Sequence, residues 1–419
     1  MARRRIREFD AKQIISQHLG PINGKTLSFQ GALVENLEEL NDLPRKYPSL
    51  VTMRLVAKPD QLFGKRNKYN LVRLNVTFDE AKKFIEEHYD KEMVIEGIRG
   101  KLTTFLIEPY VPHTHEYYLA FRSERNHDTV FFSATGGVDI EKEWDKVISF
   151  EIPTLRKLQP LALKALPTNF PNKDLILSFM ESLFALYQKA DFTYLELNPF
   201  TIDNQETIHL LDTVAEVDDR AEFKNGKIWG ELLFPKEFGK KSFPQEEYIE
   251  DLDNKSGASL KLTLLNPQGR IWNILSGGGA SIIYLDAIAN FKKADEIANY
   301  GEYSGNPTTQ EAYEYAKTIL GLVCKEAHPQ GKVIFIAGGI ANFTDIRATF
   351  TGVIRALEEF QEELRKGKVK IYVRRGGPHY KEGLKLMEDL GKRCNLAIEV
   401  FGPQTHLTQI VPKALEQIS

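Results

Sequence analysis

An α/β fold in two parts is predicted by three features of the chain. Beyond about residue 258, apolar strand-like runs alternate regularly with amphipathic helical runs. Three of those runs end in glycine clusters, at 277–279, 338–339 and 376–377. Before about residue 240, strands and helices mix without alternation. Regular βα alternation with apolar strands implies a doubly wound parallel sheet, connected right-handed and covered on both faces. Ligands of such sheets sit at the carboxyl ends of the strands.

The elements follow in order. Residues 49–58 (SLVTMRLVAK) and 71–77 (LVRLNVT) read as strands, rich in β-branched and apolar residues. Residues 79–88 (DEAKKFIEEH) have helical apolar spacing, with acids in the first turn. Three more strands are expected at 102–110, 117–122 and 128–134, and the strongest helix of this half at 172–189. Residues 194–197 and 208–212 look like a hairpin joined by the polar turn Asp203-Asn204-Gln205-Glu206. Pro, Gly and charge dominate 234–257, which places a linker at 241–257 between a first region 1–240 and a second 258–419. In the second region the strands are 271–275, 332–337, 368–374 and 396–401. The helices are 309–326, opened by a Thr308-x-x-Glu311 capping box, then 342–365, 378–392 and 405–418. Residues 300–307 (YGEYSGNP) read as a loop before the 309 helix.

Composition narrows the function. The chain has 419 residues, 42% hydrophobic and 27% charged, which excludes disorder. A net charge of −3 excludes a globally basic nucleic-acid binder and gives no reason to expect a membrane-surface protein. Two cysteines, Cys324 and Cys394, exclude a disulfide scaffold and a cysteine-based zinc site, and fit a reducing cytoplasm. The basic start (MARRRIREFDAK) has no apolar stretch behind it and does not read as a secretory signal. No apolar run reaches the roughly 18 residues a membrane span needs.

Several segments carry chemistry. Gly338-Gly339-Ile340-Ala341-Asn342-Phe343-Thr344 follows a strand and is expected to open a helix, a setting that suits an anion. An ordinary capped turn accounts for the same residues. Arg374-Arg375-Gly376-Gly377 ends the next strand, so one arginine can reach the sheet's end while the other faces a helix. A guanidinium fork grips a carboxylate through two bonds, although single arginines are also common in surface ion pairs. In the first half, Lys58 and the basic loop Lys65-Arg66-Asn67-Lys68 can hold phosphates, or form a solvated turn. Asn198 and Asp212, at adjacent strand ends, suit Mg²⁺ or are plain turn residues.

The strings KPDQL, LIEPYVPH, GGVD, TYLELNPF, DLDNKSGASLKLTLLNPQGRIW, GGGAS, NYGEYSG, IANFT, VRRGGP and FGPQTH resemble one family, ATP-citrate lyase, and within it the citryl-CoA-synthetase β-like region. The resemblance runs from about residue 45 to the end. It implies an ATP-grasp fold for the first region, with a small lobe at about 21–105, and a flavodoxin-like domain for the second. Residue by residue, it implies a nucleotide site of Lys58, Arg66, Asn67, Glu108, Pro109, Val111 and Glu116, where KRNK stands in a loop in which relatives can place a glycine. It implies Mg²⁺ on Asn198 and Asp212, a second metal-contacting segment at Asp253, Ser256 and Ala258, and citrate on Gly278, Gly279, Gly305, Asn342, Thr344 and Arg375. The implied cofactors are ATP or ADP, Mg²⁺ and CoA.

Enzymes of this type pass phosphate from ATP to a histidine and then to the acid. None of the nine histidines lies in a Gly-His-x-Gly setting, and no GxGxxG fingerprint follows a strand. The phosphohistidine, the main CoA site and the citrate-synthase-like cleavage module are therefore expected on a larger partner subunit, in a cytoplasmic hetero-oligomer without nucleic acid or membrane. A subunit of a stand-alone citryl-CoA synthetase, a succinyl-CoA synthetase β-like subunit and a non-catalytic citrate- or nucleotide-binding subunit remain open alternatives.

Overall fold

Two antiparallel sheets and one mainly parallel sheet organise the chain. The computed structural model describes residues 3–137, 140–153, 158, 172–240 and 243–416. It divides into two units, Met1–Lys240 and Lys241–Ser419.

In the first unit, β1 (Arg3–Ile6) leads into helix α1 (Glu8–His18). A four-stranded sheet follows, in the order β2-β7-β3-β4, from β2 (Ala32–Val34), β3 (Leu55–Pro59), β4 (Arg73–Val76) and β7 (Phe105–Pro109). The pair β5 (Glu92–Ile95) and β6 (Ile98–Lys101) forms a separate hairpin. Helices α2 (Leu37–Lys46), α3 (Pro48–Thr52) and α4 (Phe78–His88) also belong to this part. The second sheet joins β1 to β8 (Tyr117–Ser123), β9 (His127–Ser133), β10 (Ile148–Pro153), β11 (Phe192–Ile202), β12 (Ile208–Leu210) and β13 (Thr213–Asp218). Helix α5 (Lys173–Lys189) buries Leu175, Ile176, Phe179, Met180, Leu183 and Tyr187 in the core beside β8 and β11.

The expected strand over 49–58 is corrected. Residues 48–52 are helical, because Pro48 supplies a helix-ready φ at the first turn and Leu50 is buried; the strand begins only at Leu55. The hairpin is observed, but β11 runs on to Ile202. The Asp203 carboxylate accepts the N–H groups of Gln205 and Thr207, closing the turn. Asn198 N–H donates to the Asp212 carbonyl at 3.0 Å, so the two residues are neighbours.

In the second unit the sheet order is β14-β16-β15-β17-β18-β19, from β14 (Ser259–Leu264), β15 (Ile271–Ser276), β16 (Asn299–Ser304), β17 (Lys332–Ile340), β18 (Val369–Gly376) and β19 (Ala397–Phe401). The edge strand β14 is antiparallel to β16, and the remaining pairs are parallel. Counted along the chain, the parallel strands lie in the order 2-1-3-4-5, the flavodoxin-like arrangement, with its switch point between β15 and β17. After α6 (Glu222–Trp229) of the first unit and α7 (Pro244–Lys255), helices α8 (Gly278–Asn290), α9 (Thr309–Lys325), α10 (Ile346–Glu359), α11 (Gln361–Lys366), α12 (Tyr380–Cys394) and α13 (Ile410–Leu415) follow in order. One face of the sheet packs with α9, α10 and α12, the other with α8 and α13.

Four expectations change here. The expected linker contains α7: Pro244 starts it, Ile249 is buried, and Glu246 and Asp253 accept the N–H groups of Leu264 and Leu260 on β14. Its charges thus satisfy a sheet edge instead of solvating a tether; residues 241–242 lie outside the described residues, as do 138–139 of the GGVD string. The loop read at 300–307 is mostly strand β16, inserted between β14 and β15. The helix read from 342 begins at Ile346, with Asp345 as its cap, because β17 runs on to Ile340. The last helix is Ile410–Leu415, and 417–418 lie outside the described residues.

The Thr308–Glu311 capping box is present in both directions. Helices α9 and α10 touch at Gly352, where a Cβ would lie 2.2 Å from the Thr309 carbonyl oxygen and 2.8 Å from Tyr313 N. Gly352→Val is expected to force them apart and destabilise the second unit by about 1–3 kcal/mol, seen as a lower midpoint in thermal denaturation followed by circular dichroism.

Candidate functional site

In the first unit an open cavity of about 910 Å³ is lined by Lys58, Arg66, Asn67, Glu108, Pro109, Val111, Glu116, Asn198 and Asp212. These are all of the residues expected at the nucleotide site and the first metal position. Strand β3 delivers Lys58 and β7 delivers Glu108 and Pro109; the adjacent pairing of these strands places Val56 opposite Glu108 and Lys58 opposite Leu106. Arg66 and Asn67 come from a single 3₁₀ turn, 66–69, entered through Lys65 in a left-handed conformation. Glu116 Oε1 lies 3.1 Å from His113 Nε2, whose Nδ1 faces the Val111 carbonyl at 2.7 Å.

Besides Asp60, which the expected site also lacked, two members of the cluster were not legible as site residues, Glu8 and Lys12. They stand one turn apart on α1, both buried. Lys58 Nζ contacts Glu8 at 2.6 Å, Glu108 at 3.0 Å and the Leu211 carbonyl at 2.8 Å. Lys12 Nζ bridges Glu8 at 2.7 Å and Glu108 at 2.8 Å. Arg66 pairs with Glu8 and, at 3.3 Å, with Asp212. Asp60 closes the set by accepting the N–H groups of Glu8 and Phe9, the first donors of α1. The available signal was the helical period, which puts Glu8 and Lys12 in line with the buried Ile15.

This cluster sets its own charge states. Burial works against ionising Glu8, yet Lys12, Lys58 and Arg66 together hold its pKa well below the ordinary range. Burial likewise opposes the charge on Lys58, and Glu108 and Glu8 outweigh it, so its pKa is raised. Four carboxylates (Glu8, Asp60, Glu108, Asp212) face three cations (Lys12, Lys58, Arg66), and the excess shows at Asp212. Burial first, then repulsion from Glu8, pushes Asp212 up to about 6, although part of its carboxylate is open to the cavity. A divalent cation is the group such a carboxylate favours over a proton. Asn198 Oδ1, which accepts the Gly137 N–H at 2.8 Å, is its neighbouring oxygen.

The residues implied for the second metal-contacting segment are engaged with one another and with β14 in the ligand-free chain. Asp253 spends both oxygens on the Leu260 N–H and on Lys261, each within 2.6 Å, and Ser256 Oγ accepts the Ala258 N–H. These residues fasten α7 to β14. Among the described residues, no group of three or more acidic, histidine or cysteine side chains is placed so that it could hold a metal ion.

In the second unit the expected citrate residues gather at the carboxyl edge of the sheet. Gly305 follows β16 with φ +76° and packs against Ala258. Asn306 Oδ1 accepts the Asp345 N–H, tying that turn to the segment that carries Asn342 and Thr344. Ala341 N–H donates to the Gly376 carbonyl, tying the segment to β18. Asn342 is exposed and Thr344 buried. The expected helix dipole at Asn342 is corrected, since the α10 N-terminus carries its own acid, Asp345, which also holds His379 at 2.9 Å. Gly278 and Gly279 open α8, but the Glu302 carboxylate lies close to Gly278, so that helix end also has an anion beside it.

The arginines divide as strand alternation requires. Arg374 makes four bonds to backbone carbonyls, of Gly338, Thr405 (twice) and Pro403. Arg375, only 2% exposed, makes one, from Nη1 to the Gly339 carbonyl at 2.9 Å. Its Nε and Nη2 are buried without a partner. These two N–H groups form one edge of the guanidinium, the edge that fits both oxygens of a carboxylate. Burial, with Arg374 as a second cation nearby, pulls the Arg375 pKa down.

A cleft of buried, paired charges on an antiparallel scaffold in one unit, and a flavodoxin-like sheet with an unmet carboxylate receptor in the other, are the marks of an acid-activating, nucleotide-using class of enzyme. Comparison with known proteins narrows it. The family model for the ATP-citrate synthase ATP-grasp domain matches residues 2–229, and that for ATP citrate lyase citrate-binding matches 240–417. The chain is 45% identical to ATP-citrate synthase alpha chain protein 2 of Oryza sativa subsp. japonica, over 99% of both chains. It is 42% identical to the ATP-citrate synthase of Homo sapiens, over 99% of this chain but 38% of that one. The solved ATP citrate lyase from Methanothrix soehngenii, in complex with citrate and coenzyme A, matches with a TM-score of 0.90 and 46% identity, covering 99% of this chain and all of that one. The chain therefore belongs to the ATP-citrate lyase family, and corresponds to its ATP-grasp plus citrate-binding subunit.

The raised Asp212 pKa has a consequence for stability. The unfolded chain, with an ordinary aspartate near 4, loses its proton first as pH rises. This group therefore subtracts stability progressively between pH 4 and about 6, and fully above that. Ligand-free Asp212→Asn is expected to melt higher than the parent above pH 6, with the gain shrinking as pH falls towards 4, in thermal denaturation across that range.

Proposed function

We propose that this chain supplies the ATP-using and citrate-holding share of the lyase, and that a larger partner subunit supplies the rest. The observation that carries the citrate assignment is the unpaired Nε/Nη2 edge of Arg375, buried at the carboxyl end of β18. Leaving such donors unmet costs a fold about 1–3 kcal/mol each, and a tricarboxylate offsets that cost when it binds. Gly305, Asn342 and Thr344 stand around the same sheet edge, with Gly278 and Gly279 at the neighbouring strand end. The Methanothrix relative, whose complex contains citrate and CoA, supports this reading.

Lys58 and Arg66 take the nucleotide phosphates. To do so they leave Glu8, which holds them in the free chain. Mg²⁺ fits Asn198 and Asp212, where it supplies positive charge against the phosphates when bound. The γ-phosphoryl then passes to a histidine of the partner and on to a citrate carboxylate, giving citryl phosphate. CoA, bound mainly by the partner, displaces phosphate to give citryl-CoA, and the partner's citrate-synthase-like module cleaves this to acetyl-CoA and oxaloacetate. The human relative, of which this chain spans 38%, has room for those parts in one polypeptide. A hetero-oligomer follows where they are separate. Both cysteines are free thiols, in keeping with a reducing cytoplasm, and no described helix is long and apolar enough to cross a membrane.

Two measurements test this. The purified chain should form no oxaloacetate from citrate, ATP and CoA until the partner is added; full activity from the chain alone would refute the division of labour. Arg375→Ala in the assembled enzyme should raise the citrate KM at least tenfold, as expected for removing a two-bond charge-assisted contact of about 1.5–3 kcal/mol, and leave ATP binding within about twofold. An equal loss of both would count against the site.

A further inference from the structure

The sheet register brings a tyrosine to the same place as Arg375. Val373 belongs to the core on one face of the sheet and Tyr372 to the core on the other. Alternation puts Arg375 on the face of Val373. Tyr303 of β16 belongs to that same core. Its Cα pairs with Ser276 of β15, and Ser276 pairs with Gly338 of β17. Tyr303, Ser276, Gly338 and Arg375 thus form a row across the strand ends, spanning the switch point. Gly338 keeps the row open: a Cβ there would stand 2.6 Å from Arg375 Nη1. The glycine is what lets the guanidinium lie back across β17 towards β15 and β16.

The Tyr303 hydroxyl is buried and meets no partner at hydrogen-bonding geometry, with the Ser276 side chain and the Arg375 guanidinium as its polar neighbours. Tyr303 itself is 2% exposed. Its neighbour Tyr315, packed edge-on with ring centroids 5.9 Å apart, donates its own hydroxyl to the Lys261 carbonyl at 2.9 Å. That packing leaves the Tyr303 ring little freedom to seek a partner elsewhere. Tyr284, whose hydroxyl is also unpartnered, belongs to the opposite face with the core around Phe335 and Tyr372.

We propose that the Tyr303 hydroxyl is a citrate-binding donor, giving a hydrogen bond to the carboxylate that Arg375 grips. A neutral phenol and a guanidinium edge together present three N–H or O–H donors and no acceptor charge. They select a carboxylate over a neutral amide or an ester of the same shape. Both residues are buried in the ligand-free chain. The inference rests on the citrate reading of Arg375 and extends it by one residue on another strand.

The test compares Tyr303→Phe with Arg375→Ala and the parent, in the assembled enzyme, by calorimetric titration with citrate and separately with ATP·Mg²⁺. The thermal midpoint of each ligand-free full-length chain is measured alongside. Tyr303→Phe should weaken citrate binding about five- to thirtyfold, in line with a hydrogen bond to a charged group, and leave ATP affinity within twofold. The ligand-free midpoint should hold or rise, because an unmet buried hydroxyl has been removed. Unchanged citrate affinity in Tyr303→Phe, with Arg375→Ala impaired, overturns the role of the tyrosine alone. A lowered ligand-free midpoint also overturns it, since the hydroxyl would then have a partner within the fold. Unchanged citrate affinity in Arg375→Ala overturns the underlying citrate site instead.

Discussion

A guanidinium taken out of water must be paid for in hydrogen bonds, and the second unit contains that constraint twice in succession. Arg374 meets it with four backbone carbonyls and becomes part of the framework. Arg375 meets it with one, and keeps its carboxylate-matching edge in reserve. The neighbouring features at the sheet edge follow from this imbalance. Gly338 has no side chain because the guanidinium passes there. Strand β17 ends at an exposed Ile340, and the segment from there to Asp345 is irregular, with Phe343 exposed. The parallel order 2-1-3-4-5 opens the crevice in which these strand ends converge.

The first unit handles its charges by the opposite strategy. In its buried cluster each cation has a carboxylate: Glu8 serves Lys12, Lys58 and Arg66 at once, and Glu108 serves both lysines. The cations are thus held in position, and under the proposed reading a polyphosphate would bind by replacing a carboxylate instead of desolvating a free ammonium. The arrangement carries more acid than base, so a triphosphate entering without a metal would meet net repulsion. That excess shows at Asp212, whose pKa is raised by burial and by Glu8.

The sequence was most readable where chemistry and backbone geometry coincide. Lys58, Arg66, Glu108 and Asp212 stand near strand ends or in tight turns, and Asn198 stands before Pro199 at an irregularity within β11; the cavity is lined by all five. It was least readable where one residue serves another far along the chain. Glu8 and Lys12 look like solvated helix charges until β3 and β7 are packed against α1, and their contacts span 50 and 96 residues. The acids of α7 look like a tether until the backbone of β14 is laid beside them. Tyr303 lay inside a glycine-containing stretch that imitated a loop, because strand β16 pairs on both sides and its identity depends on those neighbours.

By itself, the order of residues determined the family, the change from a mixed half to an alternating half, and the stations where glycines and charges meet at strand ends. Those are local properties: periodicity, turn chemistry and motif spacing survive in one dimension. Only the tertiary structure decided which of two adjacent arginines is spent on the framework and which is held open. It also decided that a helix near the start of the chain anchors Lys58. Burial and hydrogen-bond satisfaction depend on atoms brought together from distant positions, and no spacing rule along the chain encodes whether a donor will find its acceptor.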